Sequence, residues 1–123
     1  MTLPAIEPDE EGSEEFPFPN DTLNPGQALL LVKRGPNAGS TFLLEGDEKT
    51  VGRDTDSVVF LDDVTVSRKH ALVERHGGEW SVVDRGSLNG TYVNGEQVDR
   101  TKLTTGDEVQ IGMFKLMFFA ADR

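Results

Sequence analysis

Cysteine is absent from this chain, which excludes disulfides, thiolate zinc sites and cysteine nucleophiles together. Long hydrophobic runs are missing as well. The longest near-uniform apolar stretch, Ala28 to Val32, is far short of the ~20 residues a membrane helix needs. No basic-then-apolar leader precedes it, so the expected location is cytoplasmic, with no membrane partner. Basic residues are scarce: 12 Lys and Arg stand against 22 Asp and Glu, for a formal net charge of -10. Nucleic acid is therefore excluded as a partner, because its binding rests on a basic face that releases counterions. No window of a dozen residues carries an apolar stripe at helical spacing. What remains is 123 residues, 36% of them hydrophobic, enough for one domain around one core.

The composition is uneven along the chain. Residues 1–26 hold five of the six prolines and seven acidic residues, with no Lys or Arg. Such a stretch cannot bury enough apolar area to offset the cost of ordering its backbone, and a disordered acidic tail is expected there. Residues 27–123 carry 12 basic and 15 acidic groups, a net of -3, and are expected to form a single folded domain. Within the tail, Phe16 and Phe18 form a Phe-Pro-Phe-Pro segment. It reads either as incidental or as a short docking motif.

From Gln27 onward the pattern is short and punctuated. Apolar runs at Ala28–Arg34, Ser40–Leu44, Lys49–Gly52, Val58–Leu61, Ala71–Arg75, Glu79–Asp84, Asp107–Gly112 and Phe114–Phe119 are separated by Gly-, Pro- and Asn-rich turns. Trp80 and Val82 share one face, as do Val109 and Ile111. Phe114, Leu116 and Phe118 alternate with Met113, Met117 and Phe119, which predicts a strand covered on both sides. Trp80, Phe114, Phe118 and Phe119 are expected in the core. Strands at this spacing predict an all-β antiparallel sandwich or barrel.

In such a fold the chemistry belongs to loops gathered at one end. Gly52-Arg53-Asp54, Thr65–His70 and Asp84–Thr91 stand out. They offer Arg53, Arg68 and Lys69 as cations, Ser67 and Ser87 as hydroxyls, Asn89 as a carboxamide, and several glycine N–H groups. A donor set of this kind suits an oxyanion, since an Arg fork and a hydroxyl can share phosphate oxygens. Other chemistries fit poorly. Ser67 and His70 are three apart with no acidic orienter in view, which argues against a hydrolase dyad and against an enzyme. The Asp54–Asp63 run lacks the Gly and Glu of a calcium loop, with Val59 and Thr65 in their places. No metal or other cofactor is expected.

Gly52-Arg53, Ser67-Arg68-Lys69-His70 and Ser87-Leu88-Asn89-Gly90-Thr91-Tyr92-Val93-Asn94-Gly95 resemble, in order, the signature of the forkhead-associated (FHA) domain. The spacings agree too: 14 residues from Arg53 to Ser67 and 22 from Ser67 to Asn89. The resemblance covers about residues 28–119. It implies a two-sheet β-sandwich of about 11 strands that binds phosphothreonine peptides. Carried over by position, Arg53 and Ser67 would hold phosphate oxygens and Arg68 would add to the same shell. Asn89 would hold the peptide backbone. Leu88 stands where many relatives carry a phosphate-contacting hydroxyl, with Ser87 as its substitute. Gly52, His70 and Gly90 would support the loops.

Further segments, including Leu29–Ser40, Phe60–Arg68 and Gly106–Gly112, are similar to the actinobacterial group of glycogen accumulation regulators and 2-oxoglutarate dehydrogenase inhibitors. That likeness implies a Ser/Thr protein kinase and enzymes of 2-oxoglutarate and glutamate metabolism as partners. It also implies a tail threonine that is phosphorylated and captured by the domain. This tail has single threonines, Thr2 and Thr22, and Thr22 is the candidate for phosphorylation. Thr22 precedes the first strand by about six residues and reaches roughly 20 Å. A domain of this size spans about 30 Å. If the site lies at the end opposite the termini, as the likeness implies, Thr22 is too short for capture in cis, whereas capture in trans would chain molecules head to tail.

Overall fold

The computed structural model describes residues 23–121. Thr22, Phe16 and Phe18, and most of the expected tail, lie outside the described residues. Residues 23–26 of that tail are described, and Asn24 to Gln27 close a turn, Gln27 N–H to Asn24 C=O at 3.0 Å.

The architecture is all β: β1 (Ala28–Arg34), β2 (Thr41–Leu44), β3 (Glu48–Gly52), β4 (Val59–Phe60), β5 (Ala71–His76), β6 (Glu79–Asp84), β7 (Thr91–Val93), β8 (Glu96–Val98), β9 (Arg100–Leu103), β10 (Glu108–Ile111) and β11 (Phe114–Ala120). They form a six-stranded sheet, order β2-β1-β11-β10-β7-β8, facing a five-stranded sheet, order β4-β3-β5-β6-β9. No helix among the described residues is long and apolar enough to cross a membrane.

Period-2 alternation drives the core. Leu30 and Val32 of β1, Leu116 and Phe118 of β11, and Val109 and Ile111 of β10 point inward and are at most 2% exposed. Val51, Val73, Trp80, Val82 and Leu103 meet them from the other sheet. Trp80 packs edge-on against Phe118, ring centroids 6.1 Å apart. Burying such side chains stabilises by about 1.5–3 kcal/mol each.

Three features differ from the sequence reading. The outer side of β11 is only partly covered: Met117 and Phe119 are half-buried and Met113 is 50% exposed, so Phe119 lies outside the core. The six-stranded sheet has no further layer on that face among the described residues. The pair β3–β4 is parallel, Val51 opposite Val59 and Gly52 opposite Phe60. A parallel pair usually needs a long crossover; here a two-residue ladder lets the short Arg53–Val58 loop suffice. Two strands, β8 and β9, had no apolar signal because Glu96–Val98 and Arg100–Leu103 are short and largely polar.

Candidate functional site

The segment Ser67–Arg68 presses against the end of β3. A Cβ built on Gly52 would lie 2.0 Å from the Arg68 carbonyl oxygen, so only glycine permits the approach. The approach brings the Arg53 N–H to the Ser67 carbonyl at 3.1 Å and the Asp54 N–H to the Arg68 carbonyl at 3.2 Å. The Arg53 side chain turns the same way, Nε donating to the Val66 carbonyl at 3.0 Å. That bond fixes the guanidinium plane. The two terminal nitrogens make no hydrogen bond among the described residues, and the half-buried group keeps two strong donors for a ligand.

Ser67 is held from two sides. Its N–H donates to His70 Nδ1 at 3.0 Å, and its Oγ accepts the Leu88 N–H at 3.0 Å. His70 is fully buried, and its Nε2 faces the Gly90 carbonyl at 2.8 Å. These partners require the neutral tautomer with its proton on Nε2. The imidazole therefore bolts the second loop to the third and has no nitrogen left for the Ser67 hydroxyl. With its oxygen engaged by Leu88, that hydroxyl keeps its proton as a donor.

The third loop is wound around Asp84. Its Oδ1 accepts the hydroxyls of Ser87 (2.5 Å) and Thr91 (2.7 Å), and its Oδ2 accepts the N–H groups of Gly86 (3.0 Å) and Ser87 (3.1 Å). Partial burial pushes this carboxyl up, but the four hydrogen bonds together outweigh it and hold it below its ordinary range. Ser87 Oγ in turn accepts the Gly90 N–H at 2.9 Å. Gly90 is buried with φ +86°, a backbone that side chains rarely adopt. The turn then carries Asn89 outward, its Nδ2 donating to the Thr65 carbonyl at 2.9 Å.

The structure thus brings Arg53, Ser67, Leu88 and Asn89 onto one turn, residues 65–67, which accepts from both neighbouring loops. Arg68 stands exposed beside them. Ser87 does not offer its hydroxyl: the proton goes to Asp84 and the oxygen to Gly90, so it fixes the loop from within. Leu88 acts through its backbone, and its side chain is 88% exposed. Lys69 faces elsewhere. It pairs with Asp54 at 3.6 Å and lines a separate hollow with Arg85, Glu48, Asp54 and Asp56, where three carboxylates face two cations. A groove of about 420 Å³ opens beside Asn89, between Thr65, Tyr92, Gln110 and Met113. Asp63, Thr65 and Asp84 escaped the sequence reading as functional residues, because what they contribute is hydrogen bonding to backbone and to loop side chains.

A family model described as the FHA domain matches residues 49–112. A glycogen accumulation regulator, GarA, of Mycolicibacterium smegmatis is 61% identical over 98 residues, 80% of this chain and 62% of the relative. The chain thus spans less than two thirds of that protein. An oxoglutarate dehydrogenase inhibitor of Corynebacterium jeikeium is 55% identical over 111 residues, covering 89% of this chain and 77% of the relative. A structure from work on phosphothreonine-dependent FHA domain interactions superposes with a TM-score of 0.72 at 27% identity, over 79% of this chain and 99% of its own.

Proposed function

This chain belongs to the FHA-domain family, and from that premise we propose that it is a non-catalytic reader of phosphothreonine in peptides, regulating a target protein in Ser/Thr-kinase signalling. One observation carries the reading: two loops are hydrogen-bonded to a single turn of the third, leaving the Arg53 terminal nitrogens and the Ser67 hydroxyl proton as unengaged donors among the described residues. A phosphothreonine brings about -1.5 to -2 charges and three acceptor oxygens to such a set. Threonine itself brings none of these. Arg68 adds charge at the rim, and Asn89 meets the peptide backbone beside the phosphate. Gly52, His70, Ser87 and Gly90 hold the loops. The Ser67 hydroxyl has no base, since both His70 nitrogens are engaged by backbone, which supports a binding role over a hydrolytic one.

Calorimetric titration with a phosphothreonine peptide, its phosphoserine counterpart and the unmodified peptide tests this. Binding is expected only with phosphate. The threonine methyl adds about 0.8 kcal/mol, roughly fourfold over phosphoserine. Equal affinity for the unmodified peptide, or no binding at millimolar phosphopeptide, refutes the reading.

A second reading is favoured by the exposed apolar side chains on these loops and the adjacent β10–β11 turn, Val64 (89%), Leu88 (88%) and Met113 (50%). They suit a folded partner, and one relative bears the name oxoglutarate dehydrogenase inhibitor. In this reading the same end of the domain inhibits an enzyme of 2-oxoglutarate or glutamate metabolism without any phosphate. Retention of such an enzyme from phosphatase-treated lysate supports it; loss of retention upon treatment supports the first.

A further inference from the structure

Asp63 and Thr65 neighbour the site, yet neither belongs to the donor set proposed to meet phosphate. Thr65 is a junction. Its N–H and its hydroxyl both donate to Asp63 Oδ2, at 2.9 and 2.5 Å. The same hydroxyl accepts the Met113 N–H at 3.0 Å, tying in the turn between β10 and β11. The Thr65 carbonyl accepts Asn89 Nδ2 at 2.9 Å.

Asp63 holds this junction twice. Its carboxylate fixes the Thr65 side chain and N–H. Its own carbonyl accepts the Val66 N–H at 3.0 Å, and that N–H shares a peptide plane with the Thr65 carbonyl. The carbonyl that Asn89 meets is therefore oriented from both ends. The bond to the Asp63 carbonyl would survive with any residue there; loss of the carboxylate frees the Thr65 N–H and hydroxyl, lets the Thr65 backbone shift, and so loosens the carbonyl that the carboxamide meets. Consistent with two donors on one oxygen, the Asp63 carboxyl lies below its ordinary range.

From these contacts we infer that Asp63 is a positioning residue for phosphopeptide recognition: through Thr65 it aims the Asn89 carboxamide at the ligand. The inference rests on the reading of the site as a phosphopeptide reader. Asp63 needs no contact with the ligand. It belongs to no core layer, so its removal leaves the sandwich intact.

The test is a double-mutant cycle on the full chain with a phosphothreonine peptide, Asp63→Ala against Asn89→Ala. Asp63→Ala is expected to weaken binding about tenfold, comparable with one hydrogen bond to an ionised group. In the Asn89→Ala background the same change should weaken binding less than about twofold, because residues acting in series are not additive. The Asn89 side-chain amide signals in the NMR spectrum of the uncomplexed protein give a readout that a purely structural Asp63 would leave unmoved. They should shift toward the solvent-exposed position in Asp63→Ala and Thr65→Val. Thr65→Ser, which keeps the hydroxyl, should restore them. Equal losses in both backgrounds, or unshifted Asn89 signals, overturn the role of Asp63. Failure of the wild-type chain to bind the phosphopeptide instead overturns the reading of the site, and the amide signals still report whether Asp63 holds Asn89.

Discussion

Replacing Gly52 with alanine probes how tightly the site is built. The new Cβ would lie 2.0 Å from the Arg68 carbonyl oxygen, 2.8 Å from its carbon and 3.0 Å from the Ser67 carbonyl oxygen. All three are backbone atoms, so no side chain can swing aside. Even reaching 3.0 Å, the shortest approach a real Cβ shows, requires the two segments to part by 1.0 Å. Parting stretches the bonds from the Arg53 and Asp54 N–H groups, now 3.1 and 3.2 Å, past hydrogen-bonding range. Two such bonds at about 1 kcal/mol each, plus about 1–3 kcal/mol for overpacking, give a loss of roughly 3–5 kcal/mol. Urea denaturation followed by Trp80 fluorescence reads the loss, and titration with phosphothreonine peptide at low urea reads the site. The expected result is a lower midpoint with an unchanged slope, and at least about tenfold weaker binding in molecules still folded. Stability within about 0.5 kcal/mol of wild type, with unaltered affinity, would refute the close approach as the organiser of the site.

Arg53→Ala should abolish phosphopeptide binding, measured by calorimetry. It should also cost about 1–2 kcal/mol of stability, since the Val66 carbonyl loses the Nε donor in a part-buried place. Trp80→Ala should cost roughly 3–5 kcal/mol in chemical denaturation, because the ring is 4% exposed against Phe118. The pH response separates ligand from scaffold. Asp63 and Asp84 have carboxyls lowered by their hydrogen bonds, so their stabilisation is complete above the ordinary value of 3.8 and fades as pH falls through the lower folded value. The melting temperature should therefore be flat from about pH 7 to 5 as far as these two groups are concerned, and fall below about pH 4. Peptide affinity should instead weaken between about pH 7 and 5, where the phosphate takes up its proton near pH 6.

Side-chain chemistry was legible in the sequence; backbone chemistry was not. Arg53, Ser67 and Asn89 carry groups whose type and spacing led to the expectation of an oxyanion site, and the three loops that carry them do meet. Ser87 looks equally suitable by type, yet its hydroxyl lies between Asp84 and the Gly90 N–H, an arrangement that only the loop's path reveals. The contribution of Leu88 is a main-chain N–H, common to every residue but proline. The same distinction governs the fold. Strands with an inward apolar face, such as β1 and β6, were plain from alternation. The two-residue β4 and the polar β8 and β9 exist because neighbouring strands need partners for their own backbone groups. Phe119 was misplaced because alternation shows that β11 has two faces, not how deeply each is covered.

Hydrogen bonds of the site run between loops as well as within them, and this couples the three loops to one another. The first loop donates through Arg53 and Asp54 to residues 66–68, and the third donates through Leu88 and Asn89 to Ser67 and Thr65. Opening any loop therefore exposes polar groups of another, and amide exchange should report a shared opening free energy. Ser67→Ala isolates the coupling. It removes the acceptor of the Leu88 N–H alone, while the carbonyls that hold Arg53 and Asp54 stay in place. Independent loops would lose protection only at Leu88. A cooperative site should lose it at Arg53 and Asp54 too, by about the same factor, in hydrogen exchange followed residue by residue. Protection that falls at Leu88 while Arg53 and Asp54 keep theirs would mean that the loops fluctuate separately, and that a ligand must assemble the site on binding.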